Sequence, residues 1–298
     1  MMQVSVWGAR GSIATPGPET NKYGGNTSCL SVLDNGSTFL VLDAGTGLRR
    51  LSQFVPKGRS RVDVLLTHLH MDHIQGLGFF GPLYNPNMEV HLWGPDSATL
   101  SLEARLNRYL SPPLFPVHLR ELPCKLVLHT VPDEVLHLDR LTITPCMLCH
   151  PGPTVGYRIE GPEGIVSYIP DHEPSLAGAL EQSDSTWISG YDVARGADLL
   201  FHDAQYAADE YQGCIGWGHC SMGDAVRFAD RVSAKNLVFF HHDPGHSDDE
   251  LDSLAAPYTS GSHAYKSIYG SALKDVYVAS EGSTFLLKQG EVTFQSRL

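Results

Sequence analysis

Three observations predict an α/β fold of two related halves packed sheet to sheet. Short apolar, β-branched runs recur along the chain, with helix-like segments between them in each half. Five of these runs lead straight into polar groups of metal-ligand type, and ligand sites of α/β sheets gather outside the carboxyl ends of strands. The length of 298 residues and the hydrophobic fraction of 42% suffice for a full core. One domain over residues 1–298 is expected, with a hinge between the halves near 150–160.

In order, strands are predicted over residues 4–7, 29–33, 38–42 and 62–66, with a turn at 34–37 between the second and third. A Gly/Pro-rich loop at 8–18 is read as a rim, and Arg10 and Ser12 are its candidate substrate contacts. Asp43-Ala44-Gly45 follows the hairpin, where Asp43 either caps the next helix or orients a metal-binding histidine. After the histidine-rich stretch at 67–73, residues 74–84 read as a short helix interrupted by glycines. A strand at 89–93 and a helix at 97–110 come next. Ser111-Pro112-Pro113-Leu114-Phe115-Pro116 cannot continue that helix. It is either a connector or a lid whose Phe115 stacks on substrate.

In the second half, strands are predicted over 141–148, 154–160, 164–169, 197–201, 236–240, 275–279 and 284–288. His150, Asp171, His202-Asp203 and His241-His242 stand just beyond four of these runs. Helices open at Ser221-Met222-Gly223-Asp224 and at Ser247-Asp248-Asp249-Glu250, both with capping-type starts.

Lys and Arg number 21 against 33 Asp and Glu, a formal charge of −12. Broad nucleic-acid binding relies on basic surface, so a nucleic-acid polymer is not expected as a partner. No apolar run approaches the ~20 residues of a membrane span. No secretory leader is evident at the N-terminus, and a cytoplasmic protein with free thiols at its six cysteines is expected. Cys146-Met147-Leu148-Cys149-His150 matches a haem-attachment spacing, but nothing supports the export that haem attachment needs.

The richest stretch is Thr67-His68-Leu69-His70-Met71-Asp72-His73, placed at the exit of a buried strand. In extended chain His68 and His70 point the same way, so both can hold one metal. Asp72 and His73 lie where the chain turns and can face a second. This H-x-H-x-D-H pattern resembles that of the metallo-β-lactamase-fold hydrolases, and the resemblance extends over most of the chain. It implies a four-layer αβ/βα sandwich of two mixed β-sheets. A dinuclear reading assigns His68, His70 and His150 to one divalent cation and Asp72, His73 and His241 to another, with Asp171 bridging. His242 competes with His241, which is preferred because it follows its strand directly, where the family's last histidine falls. Imidazole and carboxylate suit Zn²⁺ and tolerate Mn²⁺ or Fe. Two cations would lower the pKa of a bridging water, and Asp72 belongs to that catalytic group.

Two elements are not absorbed by metal binding. Gly218-His219-Cys220-Ser221 and His202-Asp203 look like elements of the phosphodiesterase branch of the family, which includes the tRNA 3′-processing endonucleases, with Cys220 a departure from the Gly-His-Ser turn. They imply His219 as general acid or oxyanion stabiliser, held by Asp203. The long basic arm of the tRNA processors is missing. The expectation is a phosphodiesterase for a small anionic ester, such as a cyclic nucleotide or ribose phosphate. A lactonase or thioester hydrolase of the glyoxalase II kind is the alternative, and a non-catalytic metal-bound sensor a remote one. Family analogy adds a homodimer.

Overall fold

The computed structural model describes residues 1–35, 38–131, 135–175, 180, 182–259 and 272–295. Part of the turn predicted at 34–37 lies outside them. Strands β1 (Met2–Gly8), β2 (Cys29–Asp34), β3 (Thr38–Leu42), β4 (Arg61–Leu65), β5 (Glu89–Pro95) and β6 (Lys125–Val131) belong to one sheet. The other holds β7 (Leu136–Leu138), β8 (Leu141–Met147), β9 (Val155–Gly161), β10 (Gly164–Ile169), β11 (Leu199–Asp203), β12 (Asn236–Phe240) and β13 (Asp275–Val278). The chain then returns to the first sheet as β14 (Thr284–Lys288) and β15 (Glu291–Gln295). The first sheet runs β15-β14-β1-β2-β3-β4-β5-β6 and the second β13-β12-β11-β10-β9-β8-β7. Each is mixed: β3 to β6 and β10 to β13 pair in parallel, the remainder antiparallel.

Alternation along single strands builds the layers. On β3, Leu40 and Leu42 enter the core between the sheets, whereas Phe39 and Val41 pack outward under Leu48, Leu51 and Leu77. On β12, Val238 and Phe240 face inward, while Leu237 and Phe239 pack against helix residues Ala225, Phe228 and Ala229. Parallel strands covered on both faces read as continuous apolar runs, which is why these were visible in the sequence. Among the described residues, no helix is long and apolar enough to cross a membrane.

Several expectations are corrected. The chain changes sheets between β6 and β7, before the hinge expected near 150–160; the Pro151-Gly152-Pro153 turn instead joins neighbours in one sheet, β8 and β9. The helix expected over 97–110 shrinks to Leu102–Leu106, capped where the Ser101 hydroxyl accepts from Ala104 N. The segment 74–84 is split into a helical turn, Met71–Ile74, and 3₁₀ turns at Leu77–Phe79 and Gly81–Tyr84. Gly76 sits so close to the Gly45 carbonyl that a Cβ would collide at 2.0 Å, so that break is set by packing. Phe115 is not a lid. Its ring is buried under the outer layer beside Phe79 and Tyr109, against Gly78.

Candidate metal and catalytic site

The site is built at the carboxyl ends of β4, β8, β10, β11 and β12. There the ladder hydrogen bonds stop, and side chains at the strand exits converge. His68, His70 and His150 form one group, with ligand atoms within 4.8 Å of one another. Asp72, His73, Asp171 and His241 form a second, all four buried. Asp171 faces both: its Oδ1 lies 3.0 Å from His73 Nε2, and its Oδ2 lies 3.3 Å from His241 Nε2, 3.7 Å from His68 Nε2 and 3.8 Å from His150 Nε2.

A layer behind these groups sets the tautomers. Asp43 Oδ2 accepts from His73 Nδ1 at 2.8 Å and from the Tyr168 hydroxyl at 2.9 Å, and Asp43 Oδ1 accepts from Thr67 N at 2.7 Å. His150 Nδ1 donates to Gly218 O at 2.8 Å, and His241 Nδ1 donates to Gln205 Oε1 at 2.9 Å. Each Nδ1 proton leaves the Nε2 lone pair to face inward. The backbone bends to allow this: Asp43 (φ 57°) and His241 (φ 59°) adopt the left-handed conformation that costs a non-glycine residue about 1 kcal/mol or more. Ser12 (φ 59°) does the same and donates its N–H to Asp72 Oδ2 at 2.8 Å.

The inward atoms fit divalent cations. His73 Nε2 and His241 Nε2 stand 3.4 Å apart, each with its proton accounted for on the opposite nitrogen. Two lone pairs that close repel unless a positive charge lies between them. His70 Nδ1 and His150 Nε2 stand 3.2 Å apart in the other group. His68 Nε2 and Asp171 Oδ1 are buried without a hydrogen-bond partner, which is costly for polar atoms with nothing to coordinate. The charge state agrees. Burial lowers His68, His70 and His150, which favours neutral imidazoles. Burial pushes Asp171 up, but His241, His73 and His68 hold it well below the carboxylate range. His73 goes the other way, because Asp171, Asp72 and Asp43 outweigh its burial. Three carboxylates around one imidazole make a field that a cation satisfies.

Beside this cluster, His219 Nδ1 donates to Asp203 Oδ2 at 2.6 Å. The His219 ring stands 4.9 Å from His241 and 5.0 Å from His150. Asp203 is buried at the end of β11 and also accepts from the backbone N–H of His172, Gln205 and Cys220. Burial pulls His219 down, but Asp203 raises it to about 9. His219 opens onto a cleft of about 820 Å³ whose wall includes Ser12, Tyr206, Trp217, Asp243 and Glu250.

Other expected contacts lie elsewhere. Arg10 is fully buried and cannot touch substrate: its guanidinium donates to the carbonyls of Gly24, Asp243 and His246 and pairs with Asp248 at 3.7 Å. His242 points away from the metal cluster, its Nε2 donating to Ala279 O. His172 is buried, with Nδ1 facing His202 Nε2 at 2.9 Å. Sequence reasoning missed Gln205, which holds His241, and Glu173, a buried carboxylate two residues beyond Asp171.

Residues 38–242 match the model of the beta-lactamase superfamily domain. The chain is similar to an uncharacterized protein of Mycobacterium leprae, ML1173, at 29% identity over 88% of this chain and 86% of the relative. It is also similar to Ribonuclease Z of Brevibacillus brevis, at 26% identity over 71% of this chain and 78% of that one. The structure of YhfI, a metallo-beta-lactamase fold protein from Bacillus subtilis, superposes with a TM-score of 0.66 at 23% identity, covering 95% of this chain and 98% of YhfI.

Proposed function

The chain belongs to the beta-lactamase superfamily and is a metal-dependent hydrolase of the metallo-β-lactamase fold, and from that premise we propose that it hydrolyses a small phosphodiester. The observation that carries this reading is the Asp203–His219 pair. The metal cluster has its own tautomer-setting partners and does not use His219 for them. A thioester hydrolase with the same cluster would have no need of it, because a thiolate departs without a proton. A diester does, because its departing alkoxide must collect a proton.

His68, His70 and His150 would hold one divalent cation and Asp72, His73 and His241 a second, with Asp171 between them. Cations bound there supply Lewis-acid activation of water and neutralise phosphoryl charge. The side chains do the remainder. Asp203 fixes the Nδ1 proton of His219 and favours its charged form, so His219 carries a second proton at Nε2 beside the cluster. That proton goes to the leaving oxygen as the ester bond breaks. Asp203 acts as a positioning residue through His219.

The size and chemistry of the cleft favour a small substrate. No Lys or Arg stands among the described residues lining it, whereas Glu210, Asp243 and Glu250 do. A strand of many phosphates would meet carboxylates there. A nucleotide-sized ester carrying one phosphate at the cluster leaves a neutral, ring-bearing portion for Trp217 and Tyr206, which also line it. Ribonuclease Z among the relatives is consistent with phosphodiester chemistry, though its name denotes a different size of substrate.

The test is hydrolysis of bis(p-nitrophenyl) phosphate beside a lactone and a glutathione thioester, with metal content measured. Diester turnover with about two cations per chain is the expected result, and on a phenyl ester, whose departing oxygen needs a proton more than p-nitrophenolate does, it should fall ~100-fold or more in His219→Ala. Turnover of the lactone or thioester alone overturns it.

A further inference from the structure

One buried group near the site has no role so far. Glu173 is fully buried and follows Asp171 by two residues. Its carboxylate accepts from the Tyr211 hydroxyl at 2.8 Å, from Gly216 N at 3.0 Å and from Gly218 N at 3.0 Å. Among the described residues no Lys or Arg pairs with it. A buried carboxylate is stable only with such dense hydrogen bonding, and backbone N–H groups supply most of it here. The donors are the last residue of the helical turn Ala208–Tyr211 and two glycines of the loop that follows it and ends in His219. Glu173 N in turn donates to Cys149 O at 3.0 Å, next to His150. The same loop returns a bond to the cluster, since Gly218 O accepts from His150 Nδ1. Gly218 (φ 86°) lies so close to His150 and Pro151 that a Cβ would sit 2.5 Å from His150 Nδ1.

We propose that Glu173 is a positioning residue: it locks Tyr211 and the loop after it to the Asp171 and His150 turns, so that His219 is held over the cleft and His150 is held in its ligating tautomer. The inference rests on the reading of His219 as the proton donor. One side chain thereby sets the proton donor and one metal ligand together.

Glu173→Gln tests it, because an amide puts an N–H₂ group among donors that need acceptors. The substrates are two thymidine 5′-phosphate aryl esters, p-nitrophenyl and phenyl. They differ in how much the departing oxygen needs a proton. The expected kcat loss is about 10-fold or more on the phenyl ester and several-fold smaller on the p-nitrophenyl ester, with KM nearly unchanged. His219→Ala shows the same tilt, and the double variant loses little more than the worse single one. Tyr211→Phe, which removes a single bond and spares the fold, tilts the same way by a smaller factor. At unchanged cation content, a loss equal on both esters, or one that adds fully to that of His219→Ala, overturns the proposal. If the wild-type protein cleaves neither ester, the phosphodiesterase reading fails. The clamp is then judged by chymotrypsin, which should cut after Tyr211 or Trp217 at least about 10-fold faster in Glu173→Gln under native conditions. Equal cutting overturns it.

Discussion

The two halves of the cluster are built differently. Asp72, His73, Asp171 and His241 are all buried and include two carboxylates. Each of the two histidines leans on a side-chain acceptor, Asp43 or Gln205. His68, His70 and His150 contain no carboxylate of their own, and His70 is exposed. No acceptor behind His70 fixes its ring among the described residues, and His150 relies on a backbone carbonyl of a loop. Affinity for a divalent cation grows with ligand charge and with the rigidity of the ligands. The buried set should therefore be the tight, structural half of the centre and the histidine trio, with His70 exposed, its exchangeable half.

The largest effect should come from the residue the halves share. Asp171→Ala should leave less than one cation per chain and lower diester turnover by about 100-fold or more, read by metal analysis and kcat. Two cations retained in that variant would break the comparison. Next is His70→Ala, which should keep about one cation while losing most activity. Titration of the wild-type protein with a chelator should show the same order, one cation leaving well before the other. Asp43→Asn should weaken the tighter step by roughly 10–100-fold, because His73 loses the carboxylate that fixes its tautomer. His242→Gln is the smallest. It should leave metal content unchanged and alter only acid stability. Burial lowers His242 to about 3, below its ordinary 6.5. The unfolded chain therefore binds the extra proton between these values, and stability is full above about pH 6.5 and lost as pH falls toward 3. In denaturant titrations the variant's slope over that window should be shallower by up to ~1.4 kcal/mol per pH unit.

Sequence reading reached the strand ends and stopped at what supports them. His68, Asp171, Asp203 and His241 announce themselves because each adjoins a strand whose apolar run is largely buried on both faces, while His150 follows β8, whose residues alternate between buried and half-exposed. The strands that escaped notice, β6, β7 and β15, lie at or beside sheet edges and are half exposed, so their apolar density is low. The helix at 97–110 had the spacing but not the partners, and only the part that buries Leu102 and Leu106 forms. Glu173 left no signal, because its partners are mostly backbone N–H groups about forty residues away, which have no sequence identity. Arg10 misled for a related reason. A cation in a glycine-rich loop suggests an anionic ligand, yet three carbonyls of its own chain and the carboxylate of Asp248 hold this guanidinium.

The His73–His241 contact has a consequence for biosynthesis. The two residues touch at 3.4 Å across 168 residues of chain. A ribosome adding about 5–20 residues per second needs roughly ten to thirty seconds to deliver the second after the first. Early in that interval the nascent chain displays His68, His70, Asp72 and His73 without the strands that complete either half of the centre, and until its end the buried half still lacks His241. Any cation captured then is held by a fragment whose affinity follows the general order of divalent metals, not by the finished geometry. Faithful metal loading must therefore wait until β12 has docked, and the identity of the cation is decided after translation rather than during it.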